Sequence, residues 1–129
     1  MMLRNVLLGA MALGLWAQQV QMTTYYVAFL KRPANAPQFS EAESKKIQEG
    51  HMANIRKMAA MGKLVLAGPF SDNTNLRGMF VFKTDTLEEA KALAADDPAV
   101  KAGRLELEWH PWFSAKGITV AEESKGDKK

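Results

Sequence analysis

The sequence predicts a single α+β domain in which strands and helices follow one another as β-α-β-β-α-β. Three observations carry this reading. Four short runs are rich in β-branched and aromatic residues, two longer stretches with helical spacing each open on a capping box, and the two kinds alternate in that order along the chain. At 129 residues, 47% hydrophobic and 24% charged, the chain has the composition of one ordinary globular domain. A chain of this size buries about two-thirds of the surface its unfolded form exposes, so a core forms without metals or crosslinks.

The first strand is TTYYVAFL, Thr23 to Leu30, stopped by Lys31, Arg32 and Pro33. Its alternating sets, Tyr25, Val27, Phe29 and Tyr26, Ala28, Leu30, are both apolar, which predicts cover on both faces. RPANAPQF is a loop. Ser40 then opens a capping box with Glu43, and a helix runs to about Met61, where Gly62 ends it. Ile47, His51, Ile55 and Met58 recur at spacings of four, four and three and so share one stripe. Met52, Met58 and Met61 are read as core filling.

KLVLAG (63–68) and GMFVFK (78–83) are the second and third strands, joined by PFSDNTNLR. Thr86 caps a second helix through T-L-E-E, with Ala90, Leu93 and Ala94 as its buried side, and Asp96-Asp97-Pro98 closes it. RLELEWH (104–110) alternates strictly, placing Leu105, Leu107 and Trp109 on one face of a half-buried fourth strand. This is the ferredoxin-like order, an antiparallel sheet with both helices on one face. Two helices cover one side only, so the other apolar side is expected to meet a second subunit.

Residues 1–17 form the shape of a secretory signal peptide: Arg4 leads an uncharged apolar run that is too short for a permanent membrane anchor. The expectation is a periplasmic or secreted protein, a domain at 23–117 and a disordered polar tail at 118–129. With no cysteine there is no disulfide, no thiolate zinc site and no cysteine nucleophile. A formal charge of +3 falls far short of a nucleic-acid-binding stripe. No phosphate loop, nucleophile elbow or HExxH is present, so no cofactor and no metal are expected.

YYVAFLKRP, GHMANIRKMAAMGKLVLAGPFSD, GMFVF and AADDPAVKAGRLELEWHPW together resemble the YCII-related (YciI-like) family of the dimeric α+β barrel group. The most specific pieces are His51 followed by GKL-x-x-AGP (Gly62 to Pro69), and DP-x-VKAG (Asp97 to Gly103). The resemblance implies a small homodimer with an active pair, a histidine on the first helix and an aspartate after the second. His51 and Asp97 occupy those positions. Relatives of this kind include a dehydrochlorinase acting on a chlorinated aromatic ring, and most have no assigned reaction.

Two readings of His51 stand side by side: a core histidine satisfied by backbone, or an acid–base group, since imidazole takes and gives protons near neutral pH. Asp97 is either a helix-ending residue before proline or the carboxylate that holds the ring. An enzyme requires His51 to be reachable by solvent and bonded to Asp97, whereas a structural protein would seal it against backbone. Ser71, just after the AGP turn, and Arg77 are candidates for substrate binding, against turn chemistry and a solvated loop arginine. The expected activity is acid–base catalysis of lyase, isomerase or dehydrochlorinase type on an unknown small molecule. The alternative is a non-catalytic ligand-binding or structural homodimer.

Overall fold

A computed structural model describes residues 20–118; the leader at 1–17 and the tail beyond Ile118 lie outside the described residues. The elements are β1 (Met22–Lys31), α1 (Glu41–Ala60), β2 (Leu64–Pro69), β3 (Leu76–Phe82), α2 (Leu87–Ala95), α3 (Pro98–Lys101) and β4 (Glu106–Ala115). The strands form one antiparallel sheet in the order β2-β3-β1-β4. The architecture is therefore the ferredoxin-like α+β fold that the sequence predicts, with one extra helical turn, α3, before the last strand.

The register explains the doubly apolar central strands. Ala28 pairs with Phe80, and Leu30 with Leu107 across the other edge of β1. These side chains share the helix-covered face with Phe82, Met58 of α1, and Ala90 and Ala94 of α2. Tyr25, Val27 and Val81 make a second buried cluster on the opposite face, with Phe29, Val65, Met79 and Ile118 packed round it. Small residues on α2 matter here: Ala90 and Ala94 are fully buried, which lets that helix lie close on Phe80 and Phe82.

The helix ends are built locally. Ser40 Oγ accepts from the Glu43 amide at 3.2 Å, and its hydroxyl donates to the Glu43 carboxylate at 3.0 Å. Thr86 does the first of these for Glu89, whose carboxylate reaches the Asp85 amide at 3.2 Å, one residue upstream of the predicted return. After α1 the amide of Gly62 (φ 73°) donates to Ala59 and that of Lys63 to Met58, the paired bonds of a Schellman turn. The same pair of bonds closes α3, from Gly103 to Val100 and from Arg104 to Ala99.

Three sequence expectations need correction. The fourth strand does not end at His110 but continues through Pro111 to Ala115. β4 is an edge strand, where a residue without an amide proton is tolerated, so Pro111 sits opposite Tyr26 without ending the ladder. Asp96-Asp97-Pro98 does more than close the second helix, since Asp97 also caps α3, with Pro98 at its first position. Of the three helix methionines, only Met58 is core; Met52 and Met61 are exposed because the sheet contacts a narrower strip of α1 than their positions require.

Candidate active site

Asp97 is fully buried, and its own backbone places it there. It is the N-cap of α3: one carboxylate oxygen, Oδ1, accepts from the Ala99 amide at 2.8 Å, and its carbonyl accepts from Val100 and Lys101. The two readings of this residue are thus one structure, because the cap fixes the carboxylate and aims the second oxygen, Oδ2, at α1. There His51 Nδ1 stands 2.7 Å away. An ionised carboxylate is an acceptor only, so Nδ1 carries the proton and donates it. Asn54, one turn beyond His51, donates a longer bond of 3.5 Å to the same oxygen.

Helix α1 approaches α3 at Gly50 and Pro98, next to the paired residues: a β-carbon on Gly50 would lie 2.7 Å from Pro98 Cγ. On its other side the imidazole stacks on Phe80 of β3, with ring centroids 6.0 Å apart and planes inclined by 21°. The ring is held between a carboxylate and an aromatic face, and 13% of the side chain remains exposed. Among the described residues no group takes its Nε2, and no buried side-chain polar atom lacks a partner.

His51 opens onto a cleft of about 340 Å³. Leu30, Ile55, Phe80 and Leu105 give it apolar walls, while Arg32, Arg77 and Arg104 supply its charge, with Gln48 and Met52 alongside. Ala67 to Pro69, which the structure makes the end of β2 and not a turn, form a further wall, which gives that motif a physical role. Among the described residues no cluster of three metal-binding side chains occurs.

Of the residues singled out in the sequence, His51, Asp97 and Arg77 come together here: the first two as a bonded pair, Arg77 in the cleft wall. Ser71 does not line the cleft. The last hairpin bond joins the Phe70 amide to the Arg77 carbonyl, and Ser71 lies beyond it, exposed in the connecting loop. Sequence reasoning missed Asn54, Arg32 and Arg104. Asn54 had a signal, since three residues after His51 is the same helix face. Arg104 had one too, following a glycine that ends α3 and turns the chain back toward α1.

Fold and site together define a small α+β domain with a buried histidine–carboxylate pair opening on a basic cleft. The YCII-related domain family matches residues 24–112, and the chain belongs to that family. Over 63 residues, 49% of this chain and 72% of the relative, it is 38% identical to the uncharacterized protein YjpA of Bacillus subtilis (strain 168). Among solved structures it is similar to the 5-chloro-2-hydroxyhydroquinone dehydrochlorinase TftG of Burkholderia phenoliruptrix AC1100, in complex with 2,5-dihydroxybenzoquinone. The TM-score is 0.49 and the identity 17%, over 70% of this chain and 93% of that one.

Proposed function

We propose that the protein is an enzyme in which His51 performs acid–base chemistry on a small molecule in the cleft, of lyase, isomerase or dehydrochlorinase type. One observation carries the reading: His51 lines the cleft with Nδ1 committed to Asp97, and among the described residues nothing takes its Nε2. In the first step Nε2 takes a proton from a substrate carbon. The electron pair of the broken C–H bond stays on the substrate, where it either expels a leaving group such as chloride or is reprotonated at another carbon. Asp97 remains ionised and stabilises the imidazolium, which afterwards returns its proton to the substrate or to water. Phe80 and the Asp97 cap hold the ring in place throughout, so little reorganisation is needed at the moment of transfer.

The test is proton exchange in deuterated water, followed by NMR, over a panel of small enolisable acids and chlorinated hydroquinones. The wild-type protein should exchange or eliminate from at least one of them, and His51→Gln should abolish it. Binding without exchange or elimination across the panel would make this a ligand-binding module instead. The working protein in this reading is a homodimer, supported by the helix-free sheet face that carries Phe29, Val65 and Met79, with Trp112 exposed at its end. It acts outside the cytoplasm, a reading supported by the leader at 1–17.

A further inference from the structure

Three arginines face one small cleft, and none is neutralised. Arg32, Arg77 and Arg104 all line it, no aspartate or glutamate does, and among the described residues none of the three makes an ion pair. The nearby carboxylate, Asp97, is already occupied by His51, Asn54 and the Ala99 amide. Positive charge concentrated in a partly enclosed site raises the local concentration of anions and is itself stabilised when one binds.

Two of these arginines are oriented. Arg77 Nη1 donates to the Thr74 carbonyl at 3.1 Å and Arg104 Nη1 to the Ser44 carbonyl at 3.4 Å, and both side chains are half-buried. A guanidinium carries five N–H donors in a rigid fork, so each keeps donors for a ligand after its backbone bond is made. The rest of the wall is hydrocarbon, from Leu30, Ile55, Phe80 and Leu105. A ligand that satisfies both parts has a planar, two-oxygen anion at one end and an apolar body at the other.

We propose that this cleft selects small organic acids, with Arg77 and Arg104 gripping the carboxylate, Arg32 adding charge from its more exposed position, and the carbon skeleton lying against Phe80 and Ile55 beside His51. The inference rests on the reading of the cleft as the substrate site. A carboxylate is favoured over a phosphate because the fork-to-fork match is planar and the apolar wall asks for carbon. At the start of α3 Pro98 has no amide proton, and the Ala99 amide donates to the Asp97 carboxylate instead of to a ligand.

Calorimetric titration of the full-length protein with benzoate, benzamide and inorganic phosphate tests this, since the first two share a shape and differ in charge. Benzoate should bind about tenfold or more tightly than benzamide at low salt, with the gap narrowing as ionic strength rises. Arg77→Gln and Arg104→Gln should each weaken benzoate by about tenfold and leave benzamide unchanged. Arg77→Lys, which keeps the charge and loses the fork, should fall between. Equal binding of acid and amide, no binding of either, or phosphate binding as well as benzoate would overturn the proposal. The wild-type comparison stands even if a variant fails to fold. Proton exchange that persists without acid selectivity would refute the substrate class alone, whereas acid selectivity without any exchange would refute the catalytic reading alone.

Discussion

Gly50 of α1 lies directly against Pro98 of α3, with room for a hydrogen and not for a methyl group: a β-carbon there would stand 2.7 Å from Pro98 Cγ. His51 is the next residue after Gly50, and Asp97 is the one before Pro98. The close approach of the two helices is therefore also the close approach of the pair.

Alanine at position 50 checks this, because its sign is opposite to ordinary expectation. In an open helix Gly→Ala stabilises by about 1 kcal/mol. Here the added methyl collides with a proline ring that cannot rotate away, and overpacking of that kind costs about 1–3 kcal/mol. Gly50→Ala is expected to lower the melting temperature and lengthen the His51–Asp97 bond. A more stable variant would mean that α1 and α3 are not packed as described.

A pH-dependent prediction comes from Lys63 and Glu89, which join the start of β2 to α2 at 3.0 Å. The hydrogen bond from Lys63, followed by that from the Asp85 amide, holds the Glu89 carboxyl below the usual carboxylate range; the same bond raises Lys63. A depressed acid stabilises the fold above its ordinary value and loses that contribution as pH falls through the folded value. A raised lysine contributes below its ordinary value and loses it as pH rises through the folded one. Thermal melts of wild type and Glu89→Gln should therefore differ across neutral pH and converge in acid. Both side chains are partly exposed to solvent, so the gap should be small and shrink in high salt.

The pair and most of the fold were legible in the sequence, for reasons that differ between them. Strands and helices announce themselves through alternation, caps and Gly62, all of which act within a few residues. The α3 turn is equally local, since an N-cap aspartate followed by proline is a helix start, but in Asp96-Asp97-Pro98 that signal coincides with the end of α2 and is masked by it. Arg32 and Arg104 were not legible as site residues. They lie 72 positions apart in the chain, and only the antiparallel placement of β1 beside β4 and the Gly103 turn brings them to one cleft. Ser71 shows the reverse case, where nearness in sequence to the AGP motif carries no nearness to the cleft.

Oligomeric state provides a separate prediction. Trp112 near the end of β4 is 41% exposed beside Tyr25, on the helix-free face of the sheet that also carries Phe29, Val65 and Met79. Light scattering coupled to size-exclusion chromatography on residues 18–129 should give a mass twice that of the chain. Trp112→Asp should shift the mass toward one chain, with far-UV circular dichroism unchanged. A stable monomer at micromolar concentration would reject the dimer.

The most exacting prediction concerns which ring nitrogen of His51 holds the proton. In the wild type, Oδ2 of Asp97 faces Nδ1 and Oδ1 is engaged by the Ala99 amide, so Nδ1 holds the proton in the neutral form of the ring. Asp97→Asn keeps the shape and changes the donors. The amide oxygen should stay on Ala99, where a backbone donor demands an acceptor, which turns the side-chain NH₂ toward Nδ1. A donor there requires Nδ1 to accept, and the proton moves to Nε2, the atom that must be free to work as a base. Nitrogen-15 NMR of the ring should show this exchange of tautomers directly, without any substrate in hand. Any acid–base activity found should fall by roughly 10⁴-fold, the scale of tautomer loss in a histidine–carboxylate pair. Asp96→Asn should leave the ring spectrum unchanged, because that side chain is exposed and its ion pair is with Lys101. An unaltered tautomer in Asp97→Asn would show that Asp97 does not set the protonation of His51.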